Sequence, residues 1–358
     1  MKISLGIAVT LLLSSCSNVP KPVSVHRIMQ EAADRTDAVW PWPNPLQTEP
    51  HLGVSRWFSV SPDKTEMELF RFDFKTNPNL RFELYDQDED SIPPYRDDAD
   101  YTTRGVGAIV KHLNEAGSGT VVAAWNGLFF SYSSGTGKGG SHIGPAVIAG
   151  KAHYNVGSMR WAFGVSYKNG KPEFKVIHEP NIHAMERALD YGAIGAQCLI
   201  KDGVALKLHA FPQPGDPTLK TPVPSTDQEV GHIPRVDFIR TSRTSMGWSK
   251  DNRNFYLLVV NAPETETESW IGLENGASNL GGWTLRDLQS FWKSFGAWGA
   301  VNSDGGIITQ SCYELPDGRY SLLPSRIYSP NKRLFLENDL KGAPGGGSLM
   351  TFYVRDTS

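Results

Sequence analysis

The chain has 358 residues, of which 39% are hydrophobic and 20% charged. That is enough apolar material for a sizeable core, and too much for a disordered chain. Lys and Arg total 35 against 38 Asp and Glu, a net of −3, which argues against a nucleic-acid binder because such a partner selects a basic surface. Glycine (35), proline (24) and aromatic residues (11%) are plentiful, favouring a turn-rich, strand-heavy fold over a helical bundle. No apolar run is long enough to span a membrane as a helix.

Met1-Lys2 followed by the apolar residues 3–13 has the length and flanks of a signal peptide. The run ends Leu13-Ser14-Ser15-Cys16, an aliphatic residue and two small ones before a cysteine, so residues 1–15 read as a lipoprotein signal peptide and Cys16 as the lipidated residue. Acyl chains there would hold the protein on a membrane through buried methylenes, each worth roughly 0.8 kcal/mol. Ser17, in place of the Asp that retains lipoproteins at the inner membrane, points to the outer membrane of a bacterial cell envelope. Cys198 and Cys312 then remain. In an oxidising compartment they are either a disulfide or two buried thiols, and two lone cysteines make no zinc site.

Residues 16–50, with Pro20, Pro22, Pro41, Pro43, Pro45 and Pro50, read as a tether, and residues 51–358 as one folded domain. Alternating apolar β-formers predict strands at 56–60, 66–74 and 80–85. The acidic stretch 86–100 lacks the EF-hand spacing with Gly at position six and reads as a solvated loop. Val106, Ile109, Val110 and Leu113 predict a helix over 104–115 with Gly117 past its end, followed by a buried strand at 120–125. Thr284 as N-cap, Asp287 at N3 and Gly296 beyond the end frame a helix over 285–295. Strands follow at 298–302 and 349–354. Strands dominate without regular βαβ alternation, so the fold class is α+β: a single domain with a mixed or antiparallel sheet core and a few packed helices.

Four segments place Gly, Asn, Asp and Arg at the ends of apolar strands, where loops on a rigid scaffold carry chemistry. Asn126-Gly127 follows the strand at 120–125; its amide can donate and accept, and Gly127 lets the chain turn. The glycine-rich residues 135–142, ending in His142, lack the P-loop order and a following helix, leaving a mobile substrate loop or a plain connector. Arg240 and Arg243, flanked by hydroxyls including Thr244, suit an anion grip; in an extended segment they point to opposite faces, so one of them reaches a given anion. Asp304, followed by Gly305-Gly306 at the end of the strand 298–302, suits a catalytic carboxylate that substrate can approach closely. G-x-S-x-G and H-E-x-x-H are absent, and the scattered histidines have no metal-ligand spacing, so neither metal nor cofactor is expected.

Taken in order, these segments resemble the phosphodiester glycosidase family. The resemblance is carried by Asn126-Gly127-Leu128-Phe129-Phe130, by residues 144–150, by Asp202-Gly203, by Arg243-Thr244-Ser245-Met246-Gly247, by Gly282-Trp283-Thr284-Leu285, and by Asp304-Gly305-Gly306. It covers roughly residues 55–355. Two departures stand out: Ser303 replaces a usual Leu, and Ile307-Ile308-Thr309 replaces a usual Gly-Ser run. The resemblance implies hydrolysis of the sugar C1–O bond of a glycosyl-1-phosphodiester in an envelope or extracellular glycan. Asp304, Arg243 and Asn126 would then be catalytic, with Arg240, Gly127, Thr244, Gly305, Gly306 and His142 binding substrate. The departures motivate an alternative, a glycan-binding surface lipoprotein of the same fold without turnover. A third possibility is a phosphodiesterase that cuts P–O.

Overall fold

The computed structural model describes residues 45–86, 101–132, 139–153, 161–178, 180–208, 240–263, 281–326, 329 and 332–358. The signal segment, Cys16 and residues 16–44 of the tether lie outside them, as do residues 87–100 and 133–138. In chain order the strands of the two main sheets are β1 (Leu46–His51), β2 (Val54–Val60), β3 (Glu66–Asp73), β4 (Leu80–Asp86), β5 (Thr120–Asn126), β6 (Trp161–Lys168), β7 (Lys171–His178), β8 (Tyr191–Lys201), β9 (Arg243–Trp248), β10 (Asn254–Asn261), β11 (Gly299–Asn302), β12 (Ser311–Glu314), β13 (Tyr320–Leu323), β14 (Leu334–Leu336) and β15 (Met350–Asp356). The helices are α1 (Val106–Glu115), α2 (Ile182–Ala188) and α3 (Leu285–Phe295).

One sheet runs β1-β2-β3-β10-β9-β11-β8-β6-β7 and the other β14-β13-β12-β5-β15-β4. Every strand pairing among the described residues is antiparallel. Side chains alternate across each strand, so each sheet buries one face against the other. Phe82 and Phe352 of the second sheet meet Phe163 and Phe255 of the first, with Phe82 at 5.8 Å from Phe163 and 4.9 Å from Phe255, and Phe352 at 5.6 Å from Phe163. Edge-on ring contacts of this kind add about 0.5–1.5 kcal/mol each beyond area burial.

The outer faces carry the helices. Val106, Ile109, Val110 and Leu113 of α1 pack with Val121, Ala124, Cys312 and Leu322 on the back of the second sheet, the face that the sequence periodicity selects. On the back of the first sheet, Trp292 of α3 donates to Ser245 Oγ at 2.7 Å, and its ring occupies the space a side chain at Gly247 would need. Along β9, Met246 and Trp248 therefore belong to the inter-sheet core, and Ser245 and Gly247 face α3. The predicted capping box of α3 is present: Asp287 N donates to Thr284 Oγ1, and Thr284 N to Asp287 Oδ2.

The α+β reading stands, with corrections. Residues 46–50, assigned to the tether, form edge strand β1, because the turn at Leu52-Gly53 folds them back onto β2. Strands β6, β7 and β8 and helix α2 escaped the sequence reading, although Asn169-Gly170 and Asp202-Gly203, all at positive φ, mark turns at the ends of β6 and β8. Cys198 and Cys312 are both buried and are not bonded to each other. Cys198 points into the inter-sheet core and Cys312 into the layer under α1, so a sheet separates them, and burial pushes the Cys312 thiol up. Alkylation of the denatured, unreduced protein is expected to label both cysteines; a protected pair would contradict this packing.

Candidate active site

Three strand ends converge at one edge of the sandwich. β5 ends at Asn126, β9 starts at Arg243, and β11 ends at Asn302. Ser245 lies opposite Asn302 in the β9–β11 register, and Ser303 N donates to Thr244 O at 2.8 Å, which carries Asp304 up to the start of β9 beside Arg243. The turn after β5 closes the other side. Gly127 N donates to Met350 O at 2.7 Å, and Gly127 O accepts from Asp304 N at 3.4 Å and from Ser303 Oγ at 2.5 Å. A Cβ at Gly127 would stand 2.6 Å from Met350 O, so only glycine permits this approach.

Asn126 ties the ends together. Its Oδ1 accepts from Thr244 Oγ1 at 2.8 Å and from Gln310 N at 3.0 Å, and its Nδ2 donates to Asp304 O at 2.7 Å. Asn126 and Thr244 are both 0% exposed. The Asn126 amide, expected from the sequence to act on substrate, is thus bonded inside the protein, and the Thr244 hydroxyl that faces it is buried with it.

Asp304 and Arg243 present the chemistry. Asp304 Oδ1 accepts from Gly305 N at 2.8 Å, and Arg243 Nε donates to Trp283 O at 3.0 Å, which fixes the guanidinium at the approach to α3. Burial pushes the Asp304 carboxyl up to about 8, against the opposing pull of the Gly305 amide and the Arg243 charge. A buried carboxyl loses the hydration that stabilises its charge. Burial thus biases the Asp304 carboxyl toward its neutral form, against the Arg243 charge.

Gly305 and Gly306 lie against the chain before β9: Gly306 N donates to Ser242 O at 2.8 Å, and a Cβ at Gly305 would meet that oxygen at 2.7 Å. Arg326, absent from the sequence reading, braces the same point by donating to Ser242 Oγ and, at 2.8 Å, to Ala262 O. No motif pointed to it, because its partners come from distant strand ends. The remaining predicted residues have protein partners of their own. Arg240 pairs with Asp287 of α3 at 3.4 Å with both side chains more than a third exposed, and His142 pairs with Asp86 at the end of β4, 3.0 Å away and buried. Asp202-Gly203 closes a hairpin just past Lys201, on the side of Gln197 that runs back toward the start of β11 and away from Asn302. Among the described residues, no three His, Cys, Asp or Glu side chains cluster as a metal site.

No curated protein sequence matches the chain. Among solved structures it is similar to the catalytic domain of zebrafish N-acetylglucosamine-1-phosphodiester α-N-acetylglucosaminidase, auto-inhibited by its pro-peptide. That match has a TM-score of 0.50 and 16% identity, and covers 93% of this chain and 94% of that one. It is also similar to a protein from Synechocystis (TM-score 0.45, 10% identity, 87% of this chain and 64% of that one). An exported protein from Burkholderia pseudomallei follows (TM-score 0.44, 12% identity, 83% of this chain and 75% of that one). At these identities the likeness speaks for the fold. The family model for phosphodiester glycosidases matches residues 119–333, more than half of the sequence and the whole span from β5 to Arg333, and the chain belongs to the phosphodiester glycosidase family.

Proposed function

We propose that this protein hydrolyses the sugar C1–O bond of a glycosyl-1-phosphodiester. The observation that carries the reading is the buried pair of Asp304 and Arg243 at the meeting point of β5, β9 and β11, inside the segment matched by the family model. A phosphodiester leaving group is already a stabilised anion. Its site needs a cation for that charge and a group that moves a proton near the reacting oxygen. Arg243 supplies the cation, in a planar fork suited to phosphate oxygens. Asp304 supplies the proton: held neutral by burial, it admits an anionic substrate without repulsion and hands its proton to the departing phosphate oxygen while water adds to C1, and the proton that this water gives up restores the carboxyl. A carboxyl titrating near the working pH is well placed for that transfer.

The substrate we assign is a sugar phosphodiester of an envelope or extracellular glycan. The supporting argument is Cys16 behind Leu13-Ser14-Ser15, which would put the protein on the bacterial envelope, on an outer membrane, through a lipid. Intact mass of protein extracted from membranes is expected to show acyl chains on an N-terminal Cys16; an unmodified N-terminus elsewhere, in the soluble fraction, contradicts the anchor.

Asp304→Asn is expected to reduce turnover of an activated glycosyl phosphodiester at least about a hundredfold, the low end for proton-transfer catalysis. The pH dependence has a definite sign. The ordinary Asp value is 3.8 and the folded one about 8, so the folded state holds a proton that the unfolded state has released between those values. Asp304 therefore lowers stability as pH rises through that window. Asp304→Asn is expected to melt at or above the wild-type temperature at pH 8 and to lose that advantage by pH 4. In the wild type, kcat/KM should fall as pH rises through about 8; a rise there would make Asp304 a base. Oxygen from labelled water should appear on the sugar and not on the phosphate, which separates this reaction from P–O cleavage. A folded Asp304→Asn with full turnover, or a wild type that binds sugar phosphate without any, would favour the glycan-binding reading.

Arg243→Lys keeps the charge and loses the fork. The expected result is a rise in KM larger than the fall in kcat, measured on the same substrate.

A further inference from the structure

The row of side chains beneath Asp304 holds an unexplained group. Val301 belongs to the inter-sheet core and Ser303 Oγ binds Gly127 O of the neighbouring turn, so alternation turns Asn302 to the other face of β11, and Asp304 follows just past the strand's end. Asn302 is fully buried. Its Nδ2 donates to Gln197 Oε1 and to Ser303 O, both at 2.7 Å. Ser303 O is a backbone carbonyl that can only accept, so it fixes which end of the amide is nitrogen. Asn302 Oδ1 then points away from both partners, buried, and receives no hydrogen bond from the protein. A buried acceptor left unpaired costs about 1–3 kcal/mol. Asp304 lies two residues on, and in its neutral form it carries a proton that can be offered to Asn302.

We infer that Asn302 is a positioning residue for Asp304: its Oδ1 accepts the Asp304 carboxyl proton, directly or through one water, and so holds the acid in its protonated rotamer. The inference rests on the proton-donor role proposed for Asp304. Gln197 serves the arrangement indirectly, by holding the Asn302 nitrogen away from the carboxyl. The charged groups around this row are few. Arg243 faces Asp304 from β9, Arg240 and Asp287 at the start of α3 are paired to each other, and Arg326 behind the turn is bonded to Ser242 and Ala262. β5 and β8 contribute the uncharged Asn126 and Gln197.

The test reads the proton without requiring turnover. In the full-length protein labelled with 13C at Asp and Asn side-chain carbonyls, the Asp304 resonance is identified by its loss in Asp304→Asn. The Asn302 resonance is expected to move with the same midpoint as Asp304 and to stop moving in Asp304→Asn. An Asn302 signal that does not titrate overturns the inference. Asn302→Leu keeps the branched outline, removes the acceptor and adds no water site. It is expected to lower the Asp304 midpoint by about one unit or more and to move the falling limb of kcat/KM to lower pH by the same amount. A midpoint that stays or rises in folded Asn302→Leu overturns the inference, since loss of a merely structural amide would leave the carboxyl as dry or drier. If Asn302→Leu does not fold, the wild-type titration decides alone. Should no phosphodiester be turned over, the resonances still report on Asn302, so failure of the enzymatic reading is distinguishable from failure of this one.

Discussion

Asn126 has one acceptor oxygen and one donor nitrogen, and it spends them on three separate stretches of chain. Thr244 comes from one sheet, Gln310 from the approach to β12 in the other, and the Asp304 carbonyl from the turn between them. Each of these bonds lies in a buried setting where an unmade bond would cost more than a made one contributes. The candidate site can exist only where the two sheets share an edge, and this amide sets that edge. Asparagine suits the position because it offers both polarities without charge. An aspartate there could not donate to the Asp304 carbonyl, and a leucine would leave Thr244 Oγ1, Gln310 N and the Asp304 carbonyl short of partners.

The same frame accounts for the state of Asp304. Its backbone carbonyl is drawn inward by Asn126 while its side chain is turned to the face shared with Arg243. Burial then acts on the carboxyl more strongly than the guanidinium does, and the group titrates near 8. An exposed turn aspartate, the plain alternative that an Asp-Gly-Gly sequence suggests, would sit near its ordinary value. Position in the fold, and not residue type, separates a turn residue from an acid.

Much of the scaffold was legible in the sequence because it depends on local periodicity and caps. The apolar stripe of α1, the Thr284 cap of α3 and the strands around 66–73 and 80–86 are written in short-range pattern. Strands β6 to β8 were less visible. Trp161, Ala162, Phe163, Gly164 and Val165 are all buried, so they show no alternation, and Gly164 and Gly192 are required where β6 and β8 approach closely. At the site, Asp304, Arg243 and Gly305-Gly306 could be singled out because charge and glycine cluster beside apolar runs. The parts played by Asn126, Gln197 and Arg326 could not. Each depends on partners brought in from far along the chain, and Gln197 sits in an unremarkable strand whose register with β11 is known only once the sheet is assembled.

The departures from the family pattern acquire a physical meaning in this setting. Ser303 stands where a leucine is usual, yet its hydroxyl binds Gly127 O, so the change adds a tie between the Asp304 turn and the Asn126-Gly127 turn. Ile307 stands where a glycine is usual and leaves 42% of its surface exposed, while its carbonyl accepts from Ser325 Oγ at 2.9 Å and Arg326 N at 2.8 Å. Both substitutions leave the backbone that presents Asp304 in its place. What Ile307 adds is an exposed apolar side chain immediately past Gly306. The departures therefore change the rim of the candidate site and leave the bonds that hold Asn126, Thr244 and Asp304 together untouched.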